Sequence, residues 1–213
     1  MSAVKTIGII GGGQLGLMII EQAHLLGART ICLDPAEDAA ALKISDERIV
    51  GRFDDPAALE ELCRRSDVVT YEFENVAAGP LGAIAPHARL HPPARALEVA
   101  QDRVNEKSFG EVRGGRPAPW AQVETAADLE AALARIGTPA ILKTTRLGYD
   151  GKGQARIMSR SDAPAALAAM EGAPAVLEGF VNFSAEISVI AARGLDGSVS
   201  AYDPGENIHK DGI

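Results

Sequence analysis

Short apolar runs alternate with longer mixed stretches through the first seventy residues. Thr6-Ile-Gly-Ile-Ile10 carries no charge and reads as a buried strand, and an apolar stretch that runs to about residue 26 after a glycine cluster reads as a helix. Residues 30–33 repeat the strand pattern and end on Asp34. A strand near 48–50, a helix over 56–65 capped by Asp54 or Asp55, and a strand over 67–71 follow. Repeated βα units predict a parallel, doubly wound sheet with right-handed crossovers, a Rossmann-like α/β fold. Residues 80–93 predict a short helix, an edge strand and a turn, and residues 94–112 a single helix.

The pattern changes after Pro117-Ala-Pro119. A strand over 120–123, a helix opened by Thr125-x-x-Asp128 and closed by Gly137, a hairpin of 140–143 with 155–158, a helix from Ser161 to near Gly172 and a strand over 175–178 follow. That β-α-β-β-α-β order predicts a small α+β domain with an antiparallel hairpin at its centre. Alternation from Glu186 to Ala191, the turn Gly194-Leu-Asp-Gly197 and a strand over 198–202 predict a last hairpin, whose apolar face has no covering helix in sequence. The expected organisation is 1–93, 94–183 and 184–213, the last being the start of a further subdomain.

Composition narrows the function. The 213 residues are 46% hydrophobic and 23% charged, an ordinary balance for a globular chain. A net charge of −8 speaks against an extended basic face and so against nucleic acid as a partner. Cys32 and Cys63 form no CxxC pair, so no disulfide framework or thiolate metal site is expected, which fits a reducing cytoplasm. The apolar run 7–10 is too short for a membrane span or a signal sequence.

Four stretches carry candidate chemistry. Gly11-Gly-Gly-Gln-Leu-Gly16 between a strand and a helix, with Asp34 about twenty residues on, matches a dinucleotide fingerprint and by itself points to an NAD(P)-dependent oxidoreductase. Thr70-Tyr-Glu-Phe-Glu-Asn75 sets Glu72 and Glu74 at the carboxyl end of a strand, where ligands of such sheets bind; capping or an internal ion pair is the other reading. In Gln101-Asp-Arg-Val-Asn-Glu-Lys107, Arg103 and Lys107 share a helix face, as a solvated charged surface also would. Lys143-Thr-Thr-Arg-Leu-Gly-Tyr-Asp-Gly-Lys-Gly-Gln154 holds three glycines and three cations after an apolar strand, and reads as a phosphate cover rather than a plain hairpin turn.

These motifs, together with Glu178-Gly-Phe-Val181, Glu186-Ile-Ser-Val-Ile190 and Glu206-Asn-Ile-His-Lys-Asp-Gly-Ile213, run in one order through the whole chain. In that order they resemble the 5-(carboxyamino)imidazole ribonucleotide synthases, ATP-grasp enzymes of purine biosynthesis. The resemblance implies a Rossmann-like pre-ATP-grasp domain followed by an incomplete ATP-grasp fold. It also implies a ligase reaction in which ATP activates bicarbonate as carboxyphosphate and the carboxyl group passes to the amine of 5-aminoimidazole ribonucleotide, leaving ADP and phosphate. Arg103, Lys143, Gly148, Gly151, Gly153 and Gln154 then resemble ATP-phosphate contacts, Glu178 and Val181 the adenine hinge, Glu186 the ribose contact and His209 a further nucleotide-side residue. Tyr149, Asp150, Lys152 and Glu72, with Gln14 and Leu15, resemble the bicarbonate and ribonucleotide side. The glycine fingerprint becomes part of the acceptor site and Asp34 a structural residue.

The resemblance further implies Mg²⁺, with no metal ligands within these residues, and a homodimer in the cytoplasm. The stop on apolar Ile213 suggests a truncated chain, poorly active or inactive by itself. An NAD(P)-dependent oxidoreductase, a non-catalytic nucleotide-binding fragment and an ATP-grasp enzyme of another acceptor such as formate stay as alternatives.

Overall fold

Strand β1 (Thr6–Ile10) is central to the first sheet, and its pleat explains why both of its faces must be covered. Ile9 packs with Ile20, Cys32, Ala41 and Leu42 on one side. Ile10 packs with Ile31, Leu33, Leu59, Leu62 and Val69 on the other. The computed structural model describes residues 5–84, 89–148 and 153–208, and the chain divides between Arg113 and Gly114 into two compact units.

In the first unit β1 leads through α1 (Gln14–Leu25) to β2 (Arg29–Asp34), then to β3 (Glu47–Val50), α2 (Pro56–Arg65) and β4 (Val68–Tyr71). The order is β3-β2-β1-β4 and every pairing is parallel, as the βα repetition predicts. Asp55 caps α2, accepting the Ala57 N–H at 2.9 Å, with Pro56 in the first turn. After α3 (Ala78–Ile84), Leu90 bridges Val69 in parallel, a single added rung at the β4 edge.

The helix predicted over 94–112 is two helices, α4 (Ala94–Ala100) and α5 (Arg103–Val112). Two adjacent side chains break it. Asp102 is extended and caps α5 through the N–H groups of Val104 and Asn105. Gln101 turns its amide away to donate to the Val76 carbonyl at 2.6 Å and to that of Glu74, pinning the segment that follows β4.

The second unit has the expected β-α-β-β-α-β order: β5 (Trp120–Val123), α6 (Ala126–Ile136), β6 (Ala140–Thr144), β7 (Gln154–Ile157), α7 (Ala163–Ala168) and β8 (Ala175–Gly179). The sheet runs β5-β8-β6-β7, antiparallel throughout. Thr125 and Asp128 form the predicted capping box, and Gly137 ends α6 at φ +87°. Ser159 and Asp162 form a second box ahead of α7. Leu129, Leu133, Leu142, Ile157, Ala175 and Leu177 join helices and sheet in one core.

The last hairpin is segmented rather than two continuous strands. β9 (Glu186–Ser188) pairs with β12 (Gly205–Asn207), and β10 (Ala191–Arg193) with β11 (Val199–Ala201). The segments meet at a bulge, where Asp203 and Pro204 lie opposite Val189, between the pair Ser188↔Gly205 and the Tyr202 N–H that reaches the Ile190 carbonyl. Ile187, Val189, Ile190, Val199 and Tyr202 are exposed, as expected of a hairpin without a covering helix.

Candidate active-site residues

The loop after β1 owes its shape to two carboxylates. Gly12 N–H donates to Asp34 Oδ2 at 2.7 Å, and Asp34 Oδ1 also takes the Ala36 N–H at 2.8 Å. Glu72, the residue after β4, is carried to the loop by a main-chain bond from its own N–H to the Ile10 carbonyl at 3.0 Å. Its Oε1 accepts the Gly13 N–H at 2.8 Å and its Oε2 the Gly16 N–H. The glycines make room for this side chain: a Cβ on Gly13 would lie 2.7 Å from Glu72 Oε1, and one on Gly11 would overlap the Glu72 stem. Asp34, the acid that a dinucleotide fold would turn to a ribose, is buried and tied into the loop.

Below the loop, Cys32 directs its thiol at the Gly11 carbonyl, 3.6 Å away. Burial pushes its pKa up to about 12, with further contributions from the charges of Asp34 and Glu72. Gln14 and Leu15 are exposed at the start of α1, beside the loop. Glu74 lies at the surface with Asn75, so of the two carboxylates of the Tyr71-Glu-Phe-Glu74 string only Glu72 reaches the glycines. Between them Phe73 meets Phe53 edge-on, ring centroids 5.3 Å apart, forming an aromatic wall at the carboxyl end of the sheet. Arg103 opens α5 in the same unit.

In the second unit the pleat sorts the predicted nucleotide residues. Ala140 and Leu142 of β6, Ala155 and Ile157 of β7, and Ala175 and Leu177 of β8 face the helices. Lys143, Gln154 and Glu178 therefore share the opposite face. Lys143 pairs in register with Gln154, and its Nζ lies 2.7 Å from Glu178 Oε2. The ion pair is sheltered, the lysine and glutamate side chains being 25% and 13% exposed. Removing either partner would strand a partly desolvated charge.

The loop between β6 and β7 is pinned at its base: the Thr144 N–H reaches the Gly153 carbonyl at 2.8 Å, its hydroxyl the Arg146 carbonyl at 2.9 Å, and the Thr145 N–H the Pro174 carbonyl at 2.9 Å. Gly153 sits at φ +63°, where a Cβ would stand 2.6 Å from Thr144 Oγ1. Gly148 is half-buried at the near end of the loop. Tyr149, Asp150, Gly151 and Lys152 lie outside the described residues, as does His209.

Val181, half exposed, follows the end of β8. Glu186 is held by Asn207, whose amide donates to Glu186 Oε1 at 2.9 Å and to Ser188 Oγ at 2.8 Å. Asn207 carries no signal in sequence, because only the register of the bulged hairpin brings it opposite Glu186. Gln101 clamps the 74–76 segment, and its sequence signal is an amide next to a capping aspartate. Among the described residues, no three His, Cys, Asp or Glu side chains gather as a metal-holding group, and no helix is long and apolar enough to cross a membrane.

Two family models match this chain: a ribonucleotide synthetase pre-ATP-grasp domain over residues 4–101 and an ATP-grasp domain over residues 111–213. The N5-carboxyaminoimidazole ribonucleotide synthase of Brucella melitensis is 50% identical over 211 residues, 98% of this chain and 58% of the relative. The N5-carboxyaminoimidazole synthetase of Staphylococcus aureus, solved with ADP, superposes with a TM-score of 0.94 at 35% identity, over 98% of this chain and 56% of that one. The N5-carboxyaminoimidazole synthase of Aspergillus clavatus, solved with ADP and 5-aminoimidazole ribonucleotide, gives 0.89 at 29% identity, over 100% of this chain and 56% of that one. This chain thus spans somewhat more than half the length of the proteins it matches.

Proposed function

The chain belongs to the N5-carboxyaminoimidazole ribonucleotide synthases of the ATP-grasp superfamily, and from that premise we propose that it serves the ATP-dependent carboxylation of 5-aminoimidazole ribonucleotide by bicarbonate in purine biosynthesis. One observation carries this reading: the likeness runs through both units without a break, at 50% identity over 98% of the chain. In this reaction ATP phosphorylates bicarbonate, the exocyclic amine of the ribonucleotide takes the carboxyl group, and ADP and phosphate leave. The protein's task is to position the reactants and to neutralise charge.

The face of the second sheet that bears Lys143, Gln154 and Glu178 takes the nucleotide. Lys143 and the Gly148–Gln154 loop meet its phosphates, and Glu178 with the backbone at Val181 reads the base. Glu186, fixed by Asn207, meets the ribose, with His209 close to the nucleotide. On the acceptor side, Glu72, Gln14 and Leu15 meet the ribonucleotide, and Tyr149, Asp150 and Lys152 the reacting carboxyl group. Mg²⁺ accompanies ATP in this chemistry, but the described residues offer no group that fits it, and no step here is assigned to it. A cytoplasmic homodimer completes the proposal.

The test is formation of the carboxylated ribonucleotide, followed as phosphate release. Release, however slow from this chain alone, should require ATP, bicarbonate and 5-aminoimidazole ribonucleotide together and disappear in Lys143→Met. Equal release with formate in place of bicarbonate, or tight binding of NADH with none of ADP, would overturn the reading.

A further inference from the structure

The Gly11–Gly16 loop has the sequence of a phosphate-binding fingerprint, and the N–H donors of its four glycines are already taken. Gly11 N–H goes to the Leu33 carbonyl at 2.9 Å, Gly12 N–H to Asp34, and Gly13 and Gly16 N–H to the two oxygens of Glu72. We propose that Glu72 is a specificity-determining residue: its carboxylate closes this loop to pyrophosphate and dinucleotides, so that an acceptor molecule must approach with its phosphate turned elsewhere.

Three independent observations support this. The first concerns place. The N-terminus of α1 favours negative charge, and in a fingerprint loop that charge belongs to the ligand; here both Glu72 oxygens lie on loop amides, and Oε2 reaches the first turn of the helix.

The second is space. A Cβ on Gly11 would overlap the Glu72 Cγ, and one on Gly16 would come within 2.9 Å of Oε2. The glycines that let a dinucleotide approach the backbone here admit a side chain, and a phosphate could enter only by displacing it. The third is anchorage. Glu72 follows directly on the β1–β4 ladder, where Ile10 pairs with Tyr71, and its own N–H continues that ladder to the Ile10 carbonyl. A residue so fixed is not a swinging gate, and with Asp34 beside it an incoming anion meets two carboxylates rather than one.

The inference concerns the loop alone and holds or fails separately from the carboxylation reading. The probe is inorganic pyrophosphate, titrated into the whole chain carrying Lys143→Met to weaken the second-unit face. The readout is the NMR amide signals of Gly12, Gly13 and Gly16. With Glu72 in place these signals should stay still through about 10 mM pyrophosphate, a concentration that reveals even millimolar binding. In Glu72→Ala they should shift and saturate, with affinity raised by at least about tenfold.

Glu72→Gln keeps the shape but loses the charge and one acceptor. It should leave Gly13 bonded, speed hydrogen exchange at Gly16, and gain less than Glu72→Ala. Saturable binding at these amides with Glu72 present overturns the proposal. So do folded Glu72→Ala chains whose loop amides ignore pyrophosphate. If Glu72→Ala does not fold, Glu72→Gln decides: faster Gly16 exchange with a pyrophosphate-dependent shift sustains the proposal, and an unchanged Gly16 defeats it.

Discussion

The chain holds two glycine-rich loops on strand ends, and they treat charge in opposite ways. In the Gly11–Gly16 loop the donors of Gly12, Gly13 and Gly16 end on Asp34 and Glu72, so the protein supplies its own anions and the loop is finished without a ligand. The loop from β6 to β7 is pinned at its base through Thr144, Thr145 and Gly153, and is entered from Lys143, whose charge is balanced by Glu178 across the sheet. A glycine string therefore says that the backbone is approached closely, and the neighbouring strand end says by what. At β4 it is a carboxylate of the protein; at β6 it is a lysine with a partner it can exchange.

The largest expected effect tests the second loop. Lys143→Met should weaken ADP binding by about 2–3 kcal/mol, roughly 30- to 150-fold, as expected for a lost charge-assisted contact. Calorimetric titration measures it, and a loss below threefold would mean that Lys143 does not meet the nucleotide.

Next comes the first loop, where the expected loss is in stability rather than binding. Gly16→Ala would press a Cβ into the Gly11 carbonyl and Glu72 Oε2, and should cost about 1–3 kcal/mol by overpacking. A fall in the urea midpoint at unchanged slope would show it. Gly153→Ala, in the second loop, should cost about 1 kcal/mol, since it meets a left-handed φ of +63° and the movable Thr144 hydroxyl rather than backbone. If Gly153→Ala proved the costlier of the two, the contrast between a loop filled by a carboxylate of the protein and one entered from a lysine would be wrong.

The smallest effect is acid sensitivity. Asp67 in the first unit is held below the usual carboxylate range by the N–H groups of Lys5 and Thr6. In the second unit Asp128 is lowered by the Thr125 hydroxyl and by backbone donors, and Asp162 by the Ser159 N–H. A folded pKa below the unfolded one gives stability that is present in full above the unfolded value and is lost as pH falls through the folded value. Urea midpoints should thus be flat with respect to these groups near neutrality and drop below about pH 4. Asp128→Asn should soften that drop, and an unchanged acid limb would remove Asp128 as a contributor.

The fold was legible wherever burial imposes a period. Ile9 and Ile10 had to face opposite ways in a two-sided sheet, and the 140–157 hairpin had to keep Lys143 off the core side once Ala140 and Leu142 took it. What stayed hidden depends on partners distant in sequence. The break at Gln101 needs the carbonyls of Glu74 and Val76 to be in reach, and no local pattern reveals that. For Glu72 the sequence allows a ligand contact, a helix cap or an internal ion pair; its geometry is closest to the cap, with two backbone amides of the glycine loop as partners, one of them in the first turn of α1. Asn207 is hidden in sequence because its place depends on one unpaired residue in a hairpin.

That one residue acts as a phase shift. Counting straight on from Ala191↔Ala201, the ladder would set Glu206 opposite Glu186, carboxylate facing carboxylate, a frustrated pair on a bare two-stranded ribbon. The extra residue of the Asp203-Pro204 bulge advances the return strand by one position and delivers an amide donor, Asn207, in place of the second acid. Proline, which has no N–H to give to a ladder, thus serves as a spacer that turns like-charge repulsion into a hydrogen bond three residues away.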